Sequence, residues 1–218
     1  MRRVWAVFWK ELRSFYGFGW MAWLGVLVAL AFGPLQSLRM GATGFLVTSL
    51  WGIFGGVYLL ETISFYYERT QGSSLMLLSS PLTVGEIFLG KYLAIFLVAY
   101  LTQLVALAIS ACVIWSTFAV LPPPSLLPML FITIPIYGFV FMELYSLAYA
   151  LLGNVSYLWL VMVLIFPFLL SPPSQIMPII NWIISFPALP IVLGILLALL
   201  LFFVVSRISK ERMVMVLS

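Results

Sequence analysis

The chain has 218 residues, of which 65% are hydrophobic and only 7% charged, and its mean hydropathy is +1.22; soluble domains carry about 25% charged residues. So little charge cannot clothe a water-facing surface, and the length holds about six spanning helices of ~20 residues with short connections, leaving no soluble domain of ordinary size. The net charge of +4 does not point to nucleic acid, since the ten Lys and Arg lie almost wholly outside the apolar runs, where they set membrane orientation; the absence of Asp and His removes imidazole bases, His metal ligands and Asp-held magnesium.

Residues 2–16, RRVWAVFWKELRSFY, carry too many charges to span. At 100° per residue, Val4, Trp5, Phe8, Trp9, Leu12, Phe15 and Tyr16 gather on one face and Arg2, Arg3, Lys10 and Arg13 on the other. That pattern describes an amphipathic helix lying in the membrane interface. It is not a signal peptide, because charge persists to Arg13 and no small-residue cleavage site follows.

Apolar runs then predict crossings at 17–36, 45–67, 92–114, 127–150, 155–171 and 189–206. The breaks between them fall at Arg39, at 68–91, at LPPPS (121–125), at Gly153-Asn154 and at SPPSQ (171–175). Six crossings put both termini on one side. Arg2, Arg3, Lys10, Arg13, Arg69, Lys91, Arg207, Lys210 and Arg212 then share that side and only Arg39 lies opposite, which makes the termini and the 68–91 loop cytoplasmic. The stretch 171–190 holds five prolines and is expected to dip into the outer leaflet as two short helices parted near Pro178–Asn181. Cys112, alone in an apolar run, reads as a small packing residue. The fold expected is thus an all-α integral membrane protein, residues 1–218 forming one transmembrane domain.

The loop 68–91, ERTQGSSLMLLSSPLTVGEIFLGK, carries the most specific pattern. Gly72 permits a turn, Ser73 or Ser74 can cap a short helix bearing Leu75, Leu77 and Leu78, and Pro81 ends it. Thr83-x-x-Glu86 has capping-box spacing and is expected to restart a helix that runs through Lys91 into the third crossing. Leu77, Leu78 and Pro81 are expected to project from the membrane as a rigid handle for a soluble partner.

Glu68, Gly72, Leu77, Leu78, Ser80, Pro81, Leu82, Glu86, Ile87, Gly90 and Lys91 resemble the loop joining the second and third crossings of type-2 ATP-binding-cassette (ABC) transporter permeases. Lys10-Glu11-Leu12-Arg13 is similar to the Lys-Glu-Leu-Arg interfacial helix of that family. Six crossings and a broken external segment extend the likeness over the whole chain. Gly72-Ser73 replaces the frequent Gly-Thr and keeps the hydroxyl. The chain lacks charge between the fourth and fifth crossings, where the family makes its second ATPase contact. The resemblance implies an exporter permease in the plasma membrane, paired with a second identical or related permease chain, with Glu68, Gly72, Leu77, Leu78, Pro81 and Glu86 coupling to a separate ABC ATPase and Lys10, Glu11 and Arg13 on the interfacial helix. No cofactor is expected in this chain; ATP and Mg would be bound by the partner, because no G-x-x-x-x-G-K-S/T loop is present.

Glu61 and Glu143 stand inside predicted crossings, at comparable depth from the cytoplasmic end. A central acidic residue costs ~2.5–3.5 kcal/mol on insertion scales, so each is expected to face protein or a hydrated path. They are candidate pathway residues and equally explicable as packing residues that are protonated or hydrogen-bonded, Glu143 above all. Trp51, Phe54, Tyr58 and Phe65 share helical spacing on the second crossing; they could line a lipid-like substrate path, but packing against lipid or a second chain is the expectation preferred. The rival function is a secondary transporter driven by an ion gradient, with Glu61 and Glu143 carrying protons. A membrane-embedded transferase would need an interfacial cluster of polar catalytic residues, and none is recognisable.

Overall fold

The computed structural model describes residues 2–17, 26–27, 30–31, 33–35, 44–70, 78–119, 121–152, 178, 181–183 and 185–211. Crossing 17–36 lies largely outside them, and crossing 155–171, Gly72 and Leu77 lie wholly outside. Among the described residues every regular element is helical: α1 (Arg2–Gly17), α2 (Gly44–Leu50), α3 (Gly56–Thr70), α4 (Val84–Phe118), α5 (Ile134–Leu152) and α6 (Ala188–Ser206). Four spans among them are long and apolar enough to cross a membrane: Gly44–Tyr66, Val84–Phe118, Pro124–Leu151 and Ala188–Ser206. This is a helical membrane protein.

Helices α2 and α3 form one rod through a widened π-helical turn, Trp51–Gly55. That turn brings Gly52 against α4, where a Cβ would stand 2.8 Å from the Gln103 Cα. Small residues let spanning helices touch backbone to backbone, and polar side chains then pair across the contact. Here Gln103 donates to Ser49 and to the Leu130 carbonyl, while Thr48 and Ser110 hydroxyls pair at 2.8 Å.

Helix α4 begins where the sequence places a cap. Thr83 Oγ1 accepts from the Glu86 amide at 3.2 Å and Glu86 Oε2 accepts from the Thr83 amide at 2.8 Å, a reciprocal capping box. The helix runs unbroken through Lys91 for 35 residues, about 52 Å at 1.5 Å per residue. A hydrocarbon core is only ~30 Å thick, and α4 extends beyond the expected crossing 92–114 at both ends, through Val84–Lys91, where the sequence places a helix start, and through Trp115–Phe118. It stops at Ala119, whose left-handed backbone (φ 53°) donates its amide to Trp115 at 2.9 Å. Pro122–Pro124 prevent its resumption. After a single 3₁₀ turn at Pro124–Leu126 the chain re-enters as α5, and α6 starts behind Pro187. Of the 171–190 segment, Ser185 Oγ on the Asn181 carbonyl and the Phe186 amide on the Trp182 carbonyl record one helical turn before α6.

Three members of the aromatic set on the second crossing, Phe54, Tyr58 and Phe65, pack on α5 rather than on lipid or a second chain. Phe54 meets Phe141 at 5.5 Å between ring centroids, Tyr58 meets Tyr145 at 5.8 Å, and Phe65 stacks on Tyr149 at 4.1 Å. Phe141, Tyr145 and Tyr149 recur every four residues along α5, so two helical stripes zip together.

Helix α1 has three faces rather than two. Val7, Phe8, Glu11 and Phe15 are buried against the bundle, Trp5 and Trp9 are exposed on the apolar flank, and Arg2, Arg3 and Arg13 are exposed on the basic one. Gly90 admits the buried face: a Cβ there would meet Val7 Cβ at 2.6 Å and the Val4 carbonyl at 2.8 Å. Gly90→Val is therefore expected to force α1 away from α4 and cost about 1–3 kcal/mol. A thermal melt in detergent reads this, with Gly17→Val, which meets nothing within 4 Å, as the control that should melt like the parent.

Candidate functional site

The buried face of α1 carries an acid, Glu11, on an otherwise apolar surface. A carboxylate taken from water needs a cation and hydrogen bonds around it, and the structure supplies both from helices distant in sequence. Lys91, seven residues into α4, extends its ammonium to Glu68 Oε2 at 2.6 Å and to Glu11 Oε1 at 3.8 Å. Lys10 closes the other side, 2.7 Å from Glu68 Oε1 and 3.0 Å from Glu11 Oε1. Ser64 donates to Glu11 Oε2 at 2.9 Å and accepts from Lys91 at 3.1 Å, and the Lys91 ammonium lies 4.6 Å from the Phe65 ring centre. Two cations thus balance two carboxylates. Only Lys10 reaches the surface, its side chain 36% exposed against 3% for Lys91 and 1% for Glu11.

Three elements meet in this cluster: α1 through Lys10 and Glu11, α3 through Ser64 and Glu68, and α4 through Lys91. Burial pushes the Glu11 carboxyl up, but Lys91 and Lys10, with the Ser64 hydroxyl, outweigh it and hold it below its usual 4.5. The ionised form is the one the fold selects, so the cluster acts as an electrostatic latch between α1 and the two helices, α3 and α4, that flank the 68–91 loop.

The described part of that loop is clamped from both ends of the chain. Arg3 donates to the Pro81 carbonyl at 3.4 Å, and Lys210 donates to the Ser80 carbonyl at 2.7 Å. Pro81 is exposed. Leu78 is not: it is 7% exposed and belongs to the apolar core with Phe15, Val84 and Phe88. An apolar side chain one residue from the surface-facing Ser79 gains more by turning into that core than by standing in water. Leu78 is therefore a packing residue in this chain and not a free contact.

Of the remaining site residues, Glu68 and Glu11 belong to the latch, Lys10 to its solvent edge, Glu86 to the α4 cap, and exposed Arg13 to neither. Glu61 and Glu143 are both fully buried, on α3 and α5. Glu61 lies three residues, about one turn, deeper than Ser64, and accepts a hydrogen bond from Ser146. Glu143 has neither oxygen partnered. Lys91 and Ser64 were the residues that sequence reasoning missed as site residues, although the i, i+3, i+7 spacing of Glu61, Ser64 and Glu68 puts all three on one stripe of α3. Comparison with protein-family models, with curated proteins and with solved structures finds no match for this chain.

Proposed function

We propose that this chain is the membrane-spanning permease subunit of an ATP-driven exporter of the type-2 ABC class, seated on a separate ATPase subunit through the 68–91 loop. A second permease chain, identical or related, completes the path, and the basic end of the bundle faces the cytoplasm. The observation that carries the reading is the buried latch of Lys10, Glu11, Glu68 and Lys91, which ties the interfacial helix to the crossings on both sides of that loop.

ATP hydrolysis drives transport only through a physical link that biases two arrangements of the membrane helices. A load on a loose loop would be lost in loop motion. Here Pro81 sits on a short segment clamped by Arg3 and Lys210, and the latch makes α1, α3 and α4 move together. Force applied at the loop therefore reaches two crossings at once. Glu68 and Glu86 serve this function indirectly, Glu68 by holding the latch and Glu86 by fixing the start of α4.

Affinity purification of the tagged chain from its native membranes in mild detergent tests the proposal. An ABC ATPase is expected to copurify in equal number with the permease chains, and ATPase activity in the complex should rise on reconstitution with substrate-bearing lipid extract. Recovery of the chain alone, with transport intact in vesicles that lack ATP, contradicts it.

A further inference from the structure

Charge balance in the interior leaves two carboxyl groups unexplained. Among the described residues, Glu11, Glu61, Glu68 and Glu143 are buried, and the cations that reach them are Lys91, buried, and Lys10 at the latch edge. Both ammonium groups are taken by Glu11 and Glu68. If all four carboxyls were ionised, the described part of the bundle would hold two more buried negative charges than cations paired to them, in surroundings that cannot solvate them.

The groups around those two carboxyls are oxygens. Ser146 donates to Glu61 Oε1, leaving Glu61 Oε2 without a partner, and both Glu143 oxygens are unpartnered. Tyr92 from α4, fully buried, packs its ring on Phe139 of α5 at 5.9 Å between centroids, one turn from Glu143, and its hydroxyl completes no hydrogen bond. Glu143 and Ser146 are three residues apart on α5 and so share a face. The other titratable groups within reach of Glu61 are Lys91, engaged in the latch, and Tyr145, which pairs with Thr62. Three carboxyl oxygens and the Tyr92 hydroxyl, on three helices, are buried with open valences, so ionised carboxylates would set three free acceptors against a single O–H donor.

We infer that Glu61 and Glu143, with Tyr92 and Ser146, form a proton-binding site that holds one proton on each carboxyl in the packed state of the bundle. A proton on each converts an acceptor-only group into a donor, removes both surplus charges and supplies the missing donors. A multivalent metal ion fits less well, since no three carboxylate, Cys or His groups converge among the described residues. These protons are resident and not a current across the membrane, which separates the site from a proton-driven transporter. Parting of α3 from α5 would admit water and release them, so the site senses helix separation. The inference stands apart from the exporter reading, because it needs no ATPase.

The chain has six carboxyl side chains, all Glu, which makes infrared spectroscopy a direct assay. The full chain in lipid nanodiscs is examined at neutral pH, where an exposed glutamate of pKa ~4.3 carries almost no proton. Glu61→Gln and Glu143→Gln, neutral isosteres of the protonated acid, should fold, and each should lose one protonated-carboxyl carbonyl band present in the parent. Tyr92→Phe should shift a band without abolishing it. Hydrophobic carbodiimide, which attacks protonated carboxyls, should modify Glu61 and Glu143 and spare Glu11 and Glu68, with sodium giving no protection. Bands lost in neither variant or in only one, or a parent band that vanishes on adding sodium, overturn the two-proton site.

Discussion

Replacing Lys91 by methionine is expected to undock α1 from the bundle. The substitution keeps most of the side-chain volume but leaves Glu11 and Glu68 without their buried cation, Lys10 being partly exposed. Breaking a buried ion pair by deleting one partner costs about 3–5 kcal/mol, most of it the penalty on the charge left behind. That is a large share of the 5–15 kcal/mol that holds a typical domain. The matching test is the pair Lys91→Met, Glu68→Gln, which removes one charge of each sign and leaves Lys10 to neutralise Glu11. It should regain about half of the loss or more. Thermal unfolding in detergent reads the stability, and protease access to α1 reads the undocking. A Lys91→Met chain as stable as the parent would show that the latch is not electrostatic.

The same latch sets an acid limit. Glu11 is held below its usual 4.5 in the docked state by Lys91 and Lys10, so its contribution is complete above about that pH and is lost as pH falls through the lower docked value. Protease access to α1 should therefore rise only in acid, and Glu11→Gln should flatten that rise.

Pro81→Glu is expected to have the largest effect on function with the least effect on the fold. Pro81 is exposed, and its clamping contact uses its carbonyl, which the substitution keeps. Surface changes away from caps and cores usually alter stability by no more than about 0.5 kcal/mol. A new charge at the centre of the proposed ATPase contact should nonetheless cut ATP-driven transport at least about tenfold, the equivalent of ~1.4 kcal/mol of coupling. Leu78→Ala makes a poor substitute for this test. Its side chain lies in the core, and the expected loss of about 2–5 kcal/mol would confuse misfolding with uncoupling. Melting curves of the two variants, set beside ATP-driven uptake into inverted vesicles, separate the effects.

What the sequence made legible was local. Thr83 and Glu86 are three residues apart, and the cap they form needs nothing from elsewhere in the chain. The Pro-rich break after α4 and the apolar run of α6 are likewise written in consecutive residues. The latch was hidden because its partners, Lys10 and Glu68, lie 58 positions apart, and because Lys91 had already served as an orientation charge. One local signal pointed to it: Glu11 falls at the middle of the α1 face that carries Val7, Phe8 and Phe15, where an acid is intelligible only with a buried cation opposite. The aromatic stripe of α3 was visible as a stripe, but its partner was not, since helical spacing does not reveal which neighbour a face meets. Leu78 was misjudged for a related reason: leucines at 75, 77 and 78 mark a short apolar segment, but nothing in consecutive residues says whether it turns to a partner or to this chain's own core.

The proposal that a soluble ATPase grips the clamped loop is tested most directly by a photoreactive amino acid placed at position 81 in the full chain, irradiated in native membranes with and without nucleotide. The account predicts a crosslink to an ABC ATPase whose yield changes when ATP is trapped in the complex, and whose formation blocks transport. Irradiation that captures only lipid or water from either side of the membrane, in a chain that still transports its cargo, would contradict it.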